Sequence, residues 1–186
     1  MNDRYTRTAI YLHWLIALGL IGTFALGFYM PELVLSPTKL KLYSWHKWAG
    51  VTLFFLVLLR LGWRLAHPAP PLPMTISAMS RFASHVSHGL MYTLMIVIPL
   101  SGWLMSSALG FQTSWFGVLP LPDLLPKDAA LGDRLKDLHE VLNFILLALV
   151  IVHTCAALKH HFIDRDDVLT RILPSKRRPD PRHLNP

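Results

Sequence analysis

Four long apolar blocks alternate with short polar stretches along the chain. Each is near the ~20 residues that a helix needs to cross the hydrocarbon of a bilayer. The first runs from about Thr8 to Met30 and stops at Pro31. The second runs from about Tyr43 to Leu65 and is ended by the break "HPAPPLP". The third, about Phe82 to Leu109, carries Pro99 and Gly102, which predict a kink of the kind membrane helices tolerate. The fourth runs from about Leu138 to Phe162. The first block is too long for the apolar core of a signal peptide and no small-residue cleavage site follows it, so it reads as a retained span. The pattern predicts an all-α integral membrane protein, a four-transmembrane-helix bundle forming one domain.

Composition agrees. Of 186 residues, 53% are hydrophobic and only 16% charged, and the mean hydropathy is +0.40. The net charge of +7 does not indicate a nucleic-acid partner, because the surplus lies beside the apolar blocks rather than on a binding module. Of the 18 Lys and Arg residues, twelve fall on the side that holds both termini and six on the other. The positive-inside rule then places both termini in the cytoplasm. Residues 163–186 form a cytoplasmic tail whose end, "PSKRRPDPRHLNP", is polar, proline-rich and expected to be poorly ordered. The connector from about Gly110 to Asp137 contains "SWFGVLPLPDLLP" and is expected to rest on the outer membrane surface, where aromatic side chains are favoured. The single Cys155 excludes an internal disulfide, a CxxC site and a cysteine-ligated iron–sulfur cluster, and reads as a buried structural thiol.

The chemistry lies in the ten histidines. His13, His46, His139 and His153 each fall inside or at the edge of a span, where an ionisable side chain is costly and a functional candidate by default. Between His139 and His153, fourteen residues of α-helix rise about 21 Å and fall only ~40° short of four full turns. The two therefore share one face at two depths. The alternating direction of the helices puts His46 at the outer level with His139, and His13 at the inner level with His153. Imidazoles paired across facing helices suit the two axial bonds of a haem iron. Zinc would want four ligands, usually with some thiolate or carboxylate, and no span carries an inward Glu-x-x-His motif for a dicarboxylate centre. Two stacked haems fit best, and without a CxxCH motif they are non-covalent haem b.

Arg60, fourteen residues after His46, is at the inner level and is a candidate partner for a haem propionate; Arg64, a turn further out, reads as a surface anchor. Gly50, one turn after His46, could let the macrocycle approach the backbone. His85 and His88, three apart at the inner end of the third span, are rival ligands for the inner haem, or residues with an interfacial or quinone-side role. His160 and His161, two turns beyond His153, are candidates for the quinone side, where they could donate a hydrogen bond or a proton. His67 and His183 read as loop residues.

With these residues in view, the chain resembles the bacterial cytochrome b-561 family of four-helix membrane haem proteins over nearly its whole length. The resemblance rests on "YTRTAIYLHWLIA", "WHKWAG", "LRLGWRL", and "LKDLHE" followed after the span by "VHTCAALKHHF". It implies the same ligand assignment that the spacing gives: His13 and His153 for the inner haem, His46 and His139 for the outer. The eukaryotic ascorbate-reducing cytochromes of similar name have six helices, so four spans argue against ascorbate chemistry.

An iron with two histidine ligands has no open position, which favours electron transfer over oxygen chemistry. Lys39, Lys41, Lys47, Arg134 and Lys136 lie near the outer ligands, and a basic rim there would concentrate a small anion. Family members are held to pass electrons between superoxide and the quinone pool. The resemblance thus implies an inner-membrane oxidoreductase that takes electrons from superoxide, with Lys136, Arg134 and Lys47 at its rim, and delivers them to ubiquinone. Two other readings stay open: a cytochrome b anchor subunit of a larger dehydrogenase or hydrogenase, with a redox protein as partner, and a haem-free transporter or proton relay.

Overall fold

The computed structural model describes residues 4–71 and 76–174. Four helices dominate it: α1 (Arg7–Tyr29), α2 (Pro37–Ala66), α3 (Ala78–Ala108) and α4 (Ala129–Phe162). All four are long and apolar enough to cross a membrane. Each begins at a side chain that accepts a hydrogen bond from a free backbone N–H of the first turn: Thr6, Ser36, Ser77 and Asp128. Pro37 follows the Ser36 cap in the first turn, where its missing N–H is no loss. Those caps extend α2 six residues and α4 nine residues ahead of the apolar blocks, because a helix can leave the hydrocarbon and continue in the polar zone. α3 runs through Pro99 without interruption.

The apolar side chains are arranged inside out relative to a soluble bundle. Leu18, Ile21, Phe55 and Val152 are each more than half exposed on outward faces, as lipid-facing positions should be. Cys155 is exposed too, so the expected buried thiol instead faces outward from α4. The interior is narrow. Met91, Leu94, Ile98 and Leu146 form one cluster, with Leu20, Phe24 and Met95 against it. Ile16, Leu53 and Val57 form a second.

In lipid, helix contact depends on close packing rather than on escape from water, so small residues mark the seams. A Cβ on Gly132 would meet Leu109 Cδ2 at 2.5 Å, and Ser106, Ser107 and Ala108 are buried at the same seam between α3 and α4. A Cβ on Gly19 would meet Leu53 Cδ2 at 2.6 Å, which marks the seam between α1 and α2. α4 packs its backbone on α3 alone. Among the described residues no Cα of α4 lies within 8 Å of one in α1 or α2.

Two segments carry structure that the hydropathy pattern does not reveal. The connector after α3 contains a short antiparallel hairpin, β1 (Ser114–Trp115) with β2 (Leu119–Pro120), turned at Phe116 and Gly117, both with positive φ. It packs along α2. Trp48 Nε1 donates to the Ser114 carbonyl at 2.7 Å, and Trp115 Nε1 donates to Thr52 Oγ1 at 3.2 Å. Residues 163–174 form a strap across the end where α4 finishes. Arg4 donates to the carbonyls of Thr170 and Leu173, Trp14 Nε1 to that of Ile172 at 2.9 Å, and Arg171 to that of Pro71. The basic, proline-rich end of the chain and His183 lie outside the described residues.

Candidate functional site

α1 and α2 form one wall of the bundle and α4 the other, and side chains meet across the gap between them at two levels. At one, the rings of His46 and His139 face each other with centroids 6.5 Å apart and planes at 79°. At the other, His13 and His153 do the same at 6.5 Å and 66°. These are the two pairs that helix spacing predicts. Leu146, seven residues from each α4 histidine and 1% exposed, belongs to the apolar cluster that separates the levels.

The separation is informative. A first-row metal bound by two imidazoles at about 2.0 Å per bond needs ring centres roughly 6 Å apart, and both pairs meet that requirement. Two further features fit a bound porphyrin. His46 Nδ1 is buried and has no hydrogen-bond partner among the described residues. The α4 backbone also stands off from α1 and α2, with no Cα pair within 8 Å among the described residues, so that the imidazoles meet across a gap rather than a tight helix seam.

His139 is the most tightly held of the four. Its Nδ1 lies 3.1 Å from the Ile98 carbonyl and 2.9 Å from Ser101 Oγ. Gly102 lets it come so close to α3, since a Cβ there would stand 3.1 Å from His139 Cε1. Gly27 plays a milder part opposite, its virtual Cβ lying 3.8 Å from His46 Cε1. A Cβ on Gly50 would meet nothing within 4 Å.

Arg60 reaches the His13–His153 level. Its Nε donates to Tyr92 Oη at 2.9 Å and its Nη1 to the Ala9 carbonyl at 3.3 Å, tying α1, α2 and α3 together. Both partners are neutral, and among the described residues no carboxylate lies within ion-pair distance of it. Arg64 instead covers the face of Tyr92. His88 packs edge-on against His153, centroids 5.1 Å apart, with its Nδ1 2.6 Å from the Ser84 carbonyl. That is closer than a shared metal would leave it. His85 lies 2.7 Å from the Arg81 carbonyl through Nδ1 and is exposed.

His160 Nδ1 is 2.6 Å from Asp166 Oδ2 and 3.2 Å from Asp164 Oδ2. Lys159 already neutralises Asp164 at 2.6 Å, which weakens this trio as a metal site. His161 packs on Phe162, and His67 stacks on Trp63 as it caps α2. Of the basic rim, Lys47 is committed to the Phe111 carbonyl at 3.1 Å and Lys39 to those of Pro31 and Leu33. Lys41 covers Trp45, while Arg134 and Lys136 are exposed. Sequence reasoning missed Ser101, Gly102, Tyr92 and Trp14. Their partners sit on other helices or, for Trp14, on the strap, and no period along one segment reveals them.

A bundle of four membrane-spanning helices with two cross-helix imidazole pairs is the architecture of a membrane b-type cytochrome. Residues 4–175 match the family model described as prokaryotic cytochrome b561, and the chain belongs to that family. It is 38% identical to cytochrome b561 homolog 2 of Escherichia coli over 92% of each chain. It is 28% identical to a probable superoxide oxidase, CybB, of Yersinia pestis over 95% of this chain and 99% of that one. It is also 28% identical to cytochrome b561 homolog 1 of Escherichia coli over 94% and 99%. This is a bacterial membrane protein of an electron-transfer family that binds b-type haem.

Proposed function

We propose that this chain carries electrons across the bacterial inner membrane through two haem b groups, one held by His46 and His139 and one by His13 and His153. The observation that carries the reading is the matched 6.5 Å spacing of both pairs at two depths of one helix. Bound there, haem would supply reversible one-electron chemistry at an iron with no free position. The chain's part is to fix the ring orientations, keep water from the apolar layer around Leu146, and supply counter-charges. Arg60, a partly buried cation whose partners among the described residues are all neutral, suits a propionate of the His13–His153 haem. Its inner placement follows from both termini being cytoplasmic, as the Lys and Arg asymmetry indicates.

For the reaction, the best-supported reading is oxidation of superoxide outside and reduction of ubiquinone within the membrane. Two superoxide anions give two dioxygen molecules and two electrons, and with two protons these convert one quinone to quinol. The printed name of the Yersinia pestis relative favours this donor. Exposed Arg134 and Lys136 can attract a small anion; Lys47, engaged by Phe111, contributes charge but not a free ammonium group. On the inner side, His160 backed by Asp166 is suited to pass a proton to a reduced quinone, with His161 beside it. The b-type haem of the family leaves the haem-free transporter reading without support. An anchor subunit would co-purify with a soluble redox protein.

Stopped-flow mixing of superoxide with the purified protein and a short-chain ubiquinone tests the reaction. Quinol should form faster than in the spontaneous reaction, and charge reversal of Arg134 and Lys136 should slow capture several-fold at low salt. A rate equal to the uncatalysed one would remove superoxide as donor.

A further inference from the structure

The two imidazole pairs are not held alike, and the difference lies in a buried hydroxyl and the carbonyl beside it. Ser101 is 4% exposed. Its Oγ lies 2.8 Å from the Ile98 carbonyl of its own helix and 2.9 Å from Nδ1 of His139, whose Nδ1 is also 3.1 Å from that same carbonyl. Only one arrangement of protons satisfies all three contacts. A carbonyl oxygen can only accept, so the serine proton points to Ile98. The serine oxygen is then left to accept, and the Nδ1–H of His139 is shared between it and the carbonyl. Nε2 of His139 therefore keeps its lone pair for a metal. Among the described residues, His13 and His153 make no hydrogen bond through either ring nitrogen to a side chain or carbonyl, and His46 Nδ1 makes none of good geometry, although the Thr23 backbone lies near enough to act on that ring.

We infer that Ser101 is a positioning residue for the His46–His139 haem, adding a second acceptor to the Nδ1–H that the Ile98 carbonyl already holds in one tautomer, and so fixing the ring orientation of His139 and making that imidazole more electron-donating. This rests on the ligand assignment proposed above. A hydrogen-bond acceptor on the far nitrogen of a metal-bound histidine raises its basicity. A more basic ligand favours the ferric over the ferrous state, so this haem is held at a lower potential than its ligands alone would give. The serine's donation to Ile98 strengthens the effect, because a hydroxyl that donates becomes a better acceptor. A low-potential centre at one end of a relay sets the direction in which an electron moves. The chain therefore adds bias on one side through a group that never touches iron.

The test uses the full-length purified protein, with haem content, potentiometric titration and low-temperature electron paramagnetic resonance as readouts. His139→Ala first identifies which redox component belongs to the His46–His139 haem. If it removes neither component, the ligand assignment fails and Ser101 is not at issue. Ser101→Ala should then keep both haems, move that component alone to higher potential and alter its resonance. Ser101→Thr, which restores the hydroxyl, should return both readouts toward the starting protein. If Ser101→Ala loses the haem, Ser101→Thr must retain it while Ser101→Cys, a weaker acceptor of similar size, loses it or shifts it. A midpoint of that component unchanged from the parent in the alanine variant with both haems present, or equal loss in all three variants, would overturn the inference.

Discussion

His139 and Gly102 touch across the seam between α3 and α4, the missing side chain of one making room for the ring of the other. A methyl group on Gly102 would stand 3.1 Å from Cε1 and 3.4 Å from Nδ1 of His139, closer than carbon and nitrogen sit without one yielding. Gly102→Ala should displace the ring by a few tenths of an ångström. The expected result is a changed spectrum and lower occupancy for the His46–His139 haem, with the other haem intact. Haem content and resonance of the variant check this; two full and unaltered components would contradict it.

Arg60 offers a prediction of sign. A cation near an iron opposes the ferric state, which carries the extra positive charge. Arg60→Met should therefore lower the midpoint of the His13–His153 haem by roughly 60 mV, a tenfold change in a one-electron equilibrium. Potentiometric titration reads the shift, and a rise instead of a fall would exclude Arg60 as its counter-charge. The variant also forfeits the bonds to Tyr92 and Ala9, so a somewhat lower melting temperature accompanies it.

Leu146 fills the layer between the two levels. In a soluble core, Leu→Ala costs a transfer term and a cavity term, but against lipid the first largely vanishes. The cavity term alone leaves about 2 kcal/mol. Thermal or denaturant unfolding in detergent should show Leu146→Ala destabilised by that order, with both haems still bound. Loss of one haem instead would mean that Leu146 shapes a haem site rather than the partition between two.

The strap makes the fourth prediction. Trp14→Phe removes the donor to the Ile172 carbonyl, worth about 1 kcal/mol net, and leaves the ring beside His13. Amide exchange in residues 163–174 should accelerate roughly five-fold while α1 and α4 stay protected. Unchanged exchange there would show the strap is held by other contacts.

The four spans and the histidine pairs were legible in the sequence because both depend on periods along a single helix. Apolar runs of about 20 residues and a fourteen-residue histidine interval need no tertiary information. The extra turns of α2 and α4 were not legible from hydropathy, because they leave the apolar zone and rest on Ser36 and Asp128 caps. The hairpin at Trp115 and the strap at Arg171 were hidden for a different reason. Both are irregular segments whose hydrogen bonds go to distant helices, such as Ser114 to Trp48 and Ile172 to Trp14. A segment with no helical or strand period can be pinned by two or three such bonds. Ser101 was invisible for the same cause, as its meaning comes only from His139 on the next helix.

The most direct test is haem quantitation on the purified protein with a reduced-minus-oxidised spectrum, repeated for His13→Ala, His46→Ala, His139→Ala and His153→Ala. The account predicts two haem b per chain in the parent. Either member of a couple, when replaced, should cost the same single haem and leave the other. One haem in the parent, or two retained after any of these four changes, would contradict it.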